Sequence, residues 1–202
     1  MQSRYSDKMK SFPSLLTVLL VIICSCRTIK PAADITPGAT RTPVPVSDDA
    51  TPSLNFSDKS TWLLGYFTPD RLTTAPYSAW YIKGYDEYQF DTDVINKLQD
   101  ISKNNLSIII VMGTWCPDSR REVPRFMRIL DIWKFPVAKV TFIGVDNNKL
   151  SPVGDHDKLD IERVPTFIIY KNNIEAGRII ENPKTSLEQD MVDILTKMSN
   201  NK

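Results

Sequence analysis

Hydrophobic residues recur along the chain with spacings that change from one segment to the next. Residues 61–67 (Trp62, Leu63, Leu64, Tyr66, Phe67) read as a strand. Residues 71–90 are rich in aromatics (Tyr77, Trp80, Tyr81, Tyr85, Tyr88, Phe90) but follow no helical or strand period. They are expected to be irregular and to pack on the core rather than line a groove. Val94, Leu98 and Ile101 then fall at i, i+4, i+7 behind Thr92, which predicts a short helix capped by that threonine. Residues 106–112 are almost continuously apolar, as expected of a strand buried on both faces of a sheet, and residues 140–145 form a second such run. Between them Val123, Phe126, Met127, Leu130 and Trp133 mark one face of an amphipathic helix of about 17 residues. Strand, helix and strand in that rhythm predict a right-handed βαβ unit. Residues 165–170 and 174–180 flank the turn Lys171-Asn172-Asn173, an antiparallel hairpin. In the last helix Thr185 and Glu188 are spaced as a capping box, and Leu187, Met191, Ile194, Leu195 and Met198 form its apolar stripe. The order predicts an α/β sandwich with a mixed central sheet.

The N-terminus follows different rules. Arg4, Lys8 and Lys10 precede an apolar run over residues 15–23, and Met9 is a second candidate start. The run is shorter than the roughly 18 apolar residues of a membrane-spanning helix and has the basic flank of a secretory signal. Ile23-Cys24-Ser25-Cys26 resembles the lipobox of bacterial lipoproteins, in which a small residue precedes the cysteine that is lipidated and becomes the mature N-terminus. Ser25 makes Cys26 that cysteine; an ordinary cleaved signal or an uncleaved anchor is the alternative. Pro31, Pro37, Pro43, Pro45 and Pro52 then sit among Thr, Ser, Asp and Ala with no hydrophobic period, as in an extended tether. The expected organisation is a signal over residues 1–25, a tether over 26–58 and a folded domain over 59–202. The expected location is the cell envelope, with the domain held to a membrane by the N-terminal lipid and facing the periplasm or exterior.

Composition narrows the function. Lys and Arg number 25 against 24 Asp and Glu, a net charge of +1, which argues against nucleic-acid binding through bulk positive charge. The chain is 42% apolar and 24% charged, ordinary for a globular domain. A single histidine, His156, leaves no multi-histidine metal site, so neither metal nor cofactor is expected. His156 itself, between Asp155 and Asp157, is expected at the surface. Three cysteines (Cys24, Cys26, Cys116) do not make a disulfide framework.

The chemistry concentrates at Trp115-Cys116-Pro117-Asp118-Ser119, between a buried strand and a helix. A thiol at a helix N-terminus meets unpaired backbone N–H groups and the positive end of the helix dipole, which favour the nucleophilic thiolate. Arg120 and Arg121 are expected to add to that effect and Asp118 to oppose it. Arg121, Arg125 and Arg128, at i, i+4, i+7, are expected to form a solvated face. Trp115-Cys116 at the start of a helix, Pro124 eight residues after the cysteine, and Val164-Pro165-Thr166 before the hairpin resemble the thioredoxin superfamily across residues 90–198. The resemblance implies a thioredoxin-like three-layer sandwich with Cys116 as the reactive cysteine and Pro124 as the kink of its helix. It also implies a cis Val164–Pro165 bond, with Trp115, Pro117, Val164 and Pro165 presenting the substrate strand.

Two departures from that family stand out. Ser119 occupies the place of the second cysteine of Cys-x-x-Cys, and serine cannot attack the mixed disulfide that the first cysteine forms. Ile110, six residues before Cys116, stands where the family buries an aspartate that serves the second thiol. The expectation is thiol–disulfide exchange through Cys116 alone, with Ser119 beside it, on protein or small-molecule thiols and disulfides. Release then needs an external reductant; isomerisation, which needs one attacking thiol, remains open. The alternative is a non-catalytic binding or assembly module on the same scaffold, so whether the chain is an enzyme stays undecided at this point. A thiol peroxidase fits poorly, because Thr114 is two residues before Cys116 where that signature has Thr-x-x-Cys.

Overall fold

Strand β2 (Leu106–Met112) is the centre of a five-stranded sheet ordered β1-β3-β2-β4-β5. Its partner β3 (Val140–Gly144) runs parallel to it, and helix α3 (Pro117–Ile132) makes the crossover that the sequence predicts. On the other side β4 (Thr166–Lys171) pairs antiparallel with β2 and forms the hairpin with β5 (Ile174–Ile180). Strand β1 (Gly65–Phe67) closes the far edge, antiparallel to β3. This is the mixed α/β sheet of a thioredoxin-like fold. The computed structural model describes residues 55–200. The expected signal over 1–25, the lipidated Cys26 and the tether as far as residue 54 lie outside the described residues.

The two sheet faces are covered differently. Ile108, Ile110, Met112, Phe142, Phe167, Ile169 and Ile179 meet the helices in one large core. Phe126 of α3 stacks on Phe167 of β4 with ring centroids 4.2 Å apart, and burying each such side chain contributes about 1.5–3 kcal/mol. On the opposite face Val111 and Ile143 pack with Cys116, Val145, Val164 and residues Val153, Leu159 and Ile161 of the β3–β4 connection. That connection is the third layer, and its regular structure is one 3₁₀ turn, His156–Leu159. Arg178 of β5 ties it down by donating from Nη1 to the carbonyls of Leu159 and Asp160, at 2.9 and 3.3 Å.

Several local expectations change. Residues 71–90 are not irregular: a 3₁₀ turn (Pro69–Thr73) leads into helix α1 (Ser78–Asp86), which packs on α3. Its apolar stripe is short and aromatic, and Pro69, Pro76 and Gly84 punctuate the sequence around it, so no period emerges. Tyr77 and Tyr81 are buried in the core, as expected. Helix α2 (Thr92–Gln99) is capped by Asp91, whose Oδ1 accepts from Asp93 and Val94 N–H, and not by Thr92. In α4 (Leu187–Asn200) Ser186 caps by accepting from Gln189 N–H. Glu188 therefore does not close a capping box. It is buried, and accepts from Tyr88 Oη at 2.7 Å and Asp91 N–H at 2.9 Å. A buried carboxylate needs such donors, and the contact locks α4 to the start of α2. Burial, with Glu188 beside it, holds the Tyr88 phenol far above its ordinary pKa.

The strand predicted over 61–67 is paired only from Gly65, because Leu63 and Leu64 cross the end of β3 at close range. An added Cβ on Gly144 would lie 2.0 Å from the Leu63 carbonyl oxygen, whereas one on Gly154 meets nothing within 4 Å. Gly144→Ala is therefore expected to cost about 3 kcal/mol or more, and Gly154→Ala less than about 0.5 kcal/mol, in urea unfolding.

Candidate active site

Met112 ends β2 and Pro117 begins α3, so Gly113, Thr114, Trp115 and Cys116 make the whole link. Cys116 is the N-cap residue, with extended backbone (φ −80°, ψ 124°), and Pro117 takes the first helical position, where its missing N–H costs nothing. The link is held by its own hydrogen bonds. Cys116 N–H donates to the Gly113 carbonyl at 3.0 Å, and Gly113 N–H donates to Ser119 Oγ at 3.3 Å. Ser119 is fully buried, at 0% exposure. The Trp115 indole lies back across Gly113, where an added Cβ would meet ring atoms at 2.4 Å. Its Nε1 donates to the Val145 carbonyl at 2.9 Å.

Cys116 is 7% exposed and is the free cysteine among the described residues. Its Sγ–H donates to the Val164 carbonyl at 3.3 Å. Val164–Pro165 is cis, as the sequence implies, and both residues are buried. The structure thus brings Trp115, Cys116, Ser119, Val164 and Pro165 together, with Pro117 exposed at the helix start. Ile110 is fully buried in the main core on the helix-covered face.

The arginines divide their work. Arg120 turns back over the link, donating from Nη1 to the carbonyls of Thr114 (3.1 Å) and Trp115 (3.0 Å). Burial lowers its pKa from the ordinary arginine value, and the attraction of Cys116 opposes that shift. Arg121, expected to act on the thiol, instead pairs with Asp118 and Glu122, both at 2.6 Å, and with Asn182. The hydrogen bond to Glu122 is the main reason its pKa rises. Arg125 binds Glu122 at 3.1 Å and lies over Tyr88, and Arg128 lies over Tyr85. The expected solvated face is in fact the seam between α3 and the aromatic segment 85–88, because buried Glu122 and two ring faces draw the guanidinium groups inward. His156, expected at the surface, is 8% exposed. Leu159 and Ile161, which follow it, pack on the sheet and pull the 3₁₀ turn in with them. Among the described residues no three His, Cys, Asp or Glu side chains converge as metal ligands.

Sequence reasoning missed the segment before β1. Phe56 lies within the stretch read as tether, yet its ring packs 4.5 Å from the Arg120 guanidinium. Trp62 contacts Trp115, with ring centroids 6.1 Å apart. Buried Thr114 donates from Oγ1 to the Thr61 carbonyl at 3.1 Å and accepts from Leu63 N–H at 3.2 Å. The signal available was two aromatics, Phe56 and Trp62, beside a proline-rich stretch that has none.

A family model described as Thioredoxin matches residues 73–196. The chain belongs to the thioredoxin family. Thioredoxin H-type of Oryza sativa subsp. indica is 29% identical over 108 residues, which is 54% of this chain and 81% of that protein. Putative thioredoxin-5 of Dictyostelium discoideum is 30% identical over 90 residues, covering 45% and 82% respectively. Among solved structures, a protein of unknown function from Pseudomonas aeruginosa aligns with a TM-score of 0.47 at 12% identity, over 64% of this chain and 87% of that one. Thiol–disulfide redox chemistry is the activity this family membership supports. Three residues after Cys116 the chain carries Ser119.

Thr114→Val keeps the shape of the link but removes its hydroxyl, leaving Leu63 N–H without its acceptor. The expected cost is about 1–3 kcal/mol, read from denaturant midpoints, with Thr114→Ser recovering most of it.

Proposed function

We propose that this is an exported, lipid-anchored thioredoxin-family protein that exchanges disulfides through Cys116 alone. The observation that carries the reading is the thiol itself: the free cysteine among the described residues sits at the N-cap of α3, beside a cis-proline edge, with a buried serine three residues on. In the first step the Cys116 thiolate attacks one sulfur of a partner disulfide. The partner S–S bond breaks, its second sulfur leaves as a thiolate, and a mixed disulfide remains on Cys116. Ser119 can neither attack that bond nor accept its electrons, so release requires a second thiol from outside: a reductant, or another cysteine of the partner, which completes isomerisation. Pro117, Trp115 and the Val164–Pro165 edge are the proposed contacts for the partner strand. Protein disulfides are the proposed substrates, with small thiols as resolving agents.

Export rests on the basic flank, the short apolar run and the Ser25-Cys26 junction. The proposed location is the cell envelope, with the domain facing the periplasm or exterior. Mass spectrometry of membrane-extracted protein is expected to find a lipid-modified Cys26 as the first residue; an unmodified Cys26 would overturn the anchor.

A binding module on the same scaffold is the second reading. It is favoured by the low exposure of Cys116 and the hydrogen bond its thiol donates to Val164. Ser119→Cys separates the two. Positions three apart on the first helical turn are neighbours, so the introduced thiol is expected to close a disulfide with Cys116 with little backbone movement. The exchange reading predicts that, with no external thiol present, the reduced variant releases a reduced partner and ends with its own internal disulfide, while the wild type stops as a mixed disulfide until a thiol is added. A variant that forms its disulfide yet never reacts would favour the binding module.

A further inference from the structure

We propose that residues 55–64 form a clip that positions the Cys116 loop, with Trp62 and Phe56 as its positioning residues. This rests on the exchange reading above and adds to it a control element outside the family match, which begins at residue 73.

The contacts form a closed circuit. Trp62 packs on Trp115 at 6.1 Å and donates from Nε1 to the Phe56 carbonyl at 2.9 Å. The Phe56 ring faces the Arg120 guanidinium at 4.5 Å, and Arg120 donates to the carbonyls of Thr114 and Trp115. Thr114 returns the circuit to the clip through Thr61 and Leu63. Tyr77 Oη also donates to the Thr61 carbonyl at 2.9 Å, fixing the clip to the start of α1. The clip holds its own shape, since Asp58 Oδ1 accepts from Ser60 N–H at 2.9 Å to cap the turn Lys59–Thr61.

Trp115 is thus held between Gly113 and Trp62, with its indole N–H committed to Val145. The clip holds the Thr114 hydroxyl and the Trp115 ring, and Arg120 holds the Thr114 and Trp115 carbonyls, all within two residues of Cys116. Disulfide exchange requires the attacking, central and leaving sulfurs to line up, so the rate depends on where the loop holds Sγ. A displacement of about 1 Å at a reacting group is enough to cost about a hundredfold in rate. Stability is less sensitive, because Trp62 and Phe56 are only partly buried.

The test uses the full chain and the aromatic disulfide dithiobis(nitrobenzoate). The Cys116 thiolate attacks one sulfur, the S–S bond breaks, and one thionitrobenzoate leaves with the bonding electrons, so no further oxidant enters. Quenched samples are digested, and the adduct on the Cys116 peptide is followed by mass spectrometry, which keeps Cys24 and Cys26 out of the readout. Trp62→Ala and Phe56→Ala are each expected to slow Cys116 labelling by about tenfold or more, and Trp62→Phe to stay within about threefold of wild type. Ile179→Val, in β5 away from the clip, supplies a destabilised control expected to label at the wild-type rate. If Trp62→Ala does not fold, Phe56→Ala decides. Equal rates in wild type, Trp62→Ala and Phe56→Ala would overturn the clip while leaving the exchange reading intact. A wild-type Cys116 that labels only after denaturation would overturn both.

Discussion

Four residues, Gly113 to Cys116, carry the chain from the central strand of the sheet to the first turn of α3, and the site's geometry follows from the shortness of that link. A link of this length must satisfy its own backbone, because it sits at the carboxyl edge of a strand buried on both sides. The Gly113 carbonyl accepts from Cys116 N–H within the link, Ser119 and Arg120 satisfy it from the helix, and the Thr114 hydroxyl ties it to the segment before β1. Cys116 is the N-cap as a consequence, and its thiol is directed toward the β3–β4 connection.

That connection is what makes the opposite face of the sheet part of the site. The helices build the main core on one face and leave the other to a segment with a single 3₁₀ turn. Leu159 and Ile161 pin the segment to the sheet, Arg178 anchors its carbonyls from β5, and it ends at Val164, whose carbonyl takes the Cys116 thiol. The Cys116 thiol therefore bridges two parts of the fold, the start of α3 and the edge before β4. On the proposed exchange reading, a partner strand that reaches Cys116 takes over the Val164 carbonyl or runs beside it.

Much of this was legible in the sequence, and the rest was hidden for identifiable reasons. Continuous apolar runs marked β2 and β3 within a residue or so, because buried strands of a parallel unit leave little choice of side chain, and the turn Lys171-Asn172-Asn173 marked the hairpin. The helical spacing from Val123 to Trp133 marked α3 for the same reason. Trp115-Cys116 and Val164-Pro165 marked two edges of the site, and the structure places them in contact. Helix α1 stayed hidden because its burial is carried by a few aromatics, and the α4 cap was misread because Glu188 spends its charge across the molecule, at Tyr88 and Asp91. His156 looked solvated between two aspartates, but its burial is set by hydrophobic neighbours later in the same segment. The clip was invisible for a related reason: Phe56 and Trp62 have no local period, and their partners, Arg120 and Trp115, are more than fifty residues away in sequence.

The departures at Ser119 and Ile110 bear on one claim, that exchange at this site stops at a single covalent bond. The direct measurement is the intact mass of the folded, mature protein after exposure to an oxidised model peptide disulfide, followed by addition of a free thiol. One peptide adduct per chain, mapped to Cys116, that persists until the thiol arrives and then leaves is the predicted result. Absence of any adduct on folded protein, with full labelling of Cys116 once the chain is denatured, would contradict it.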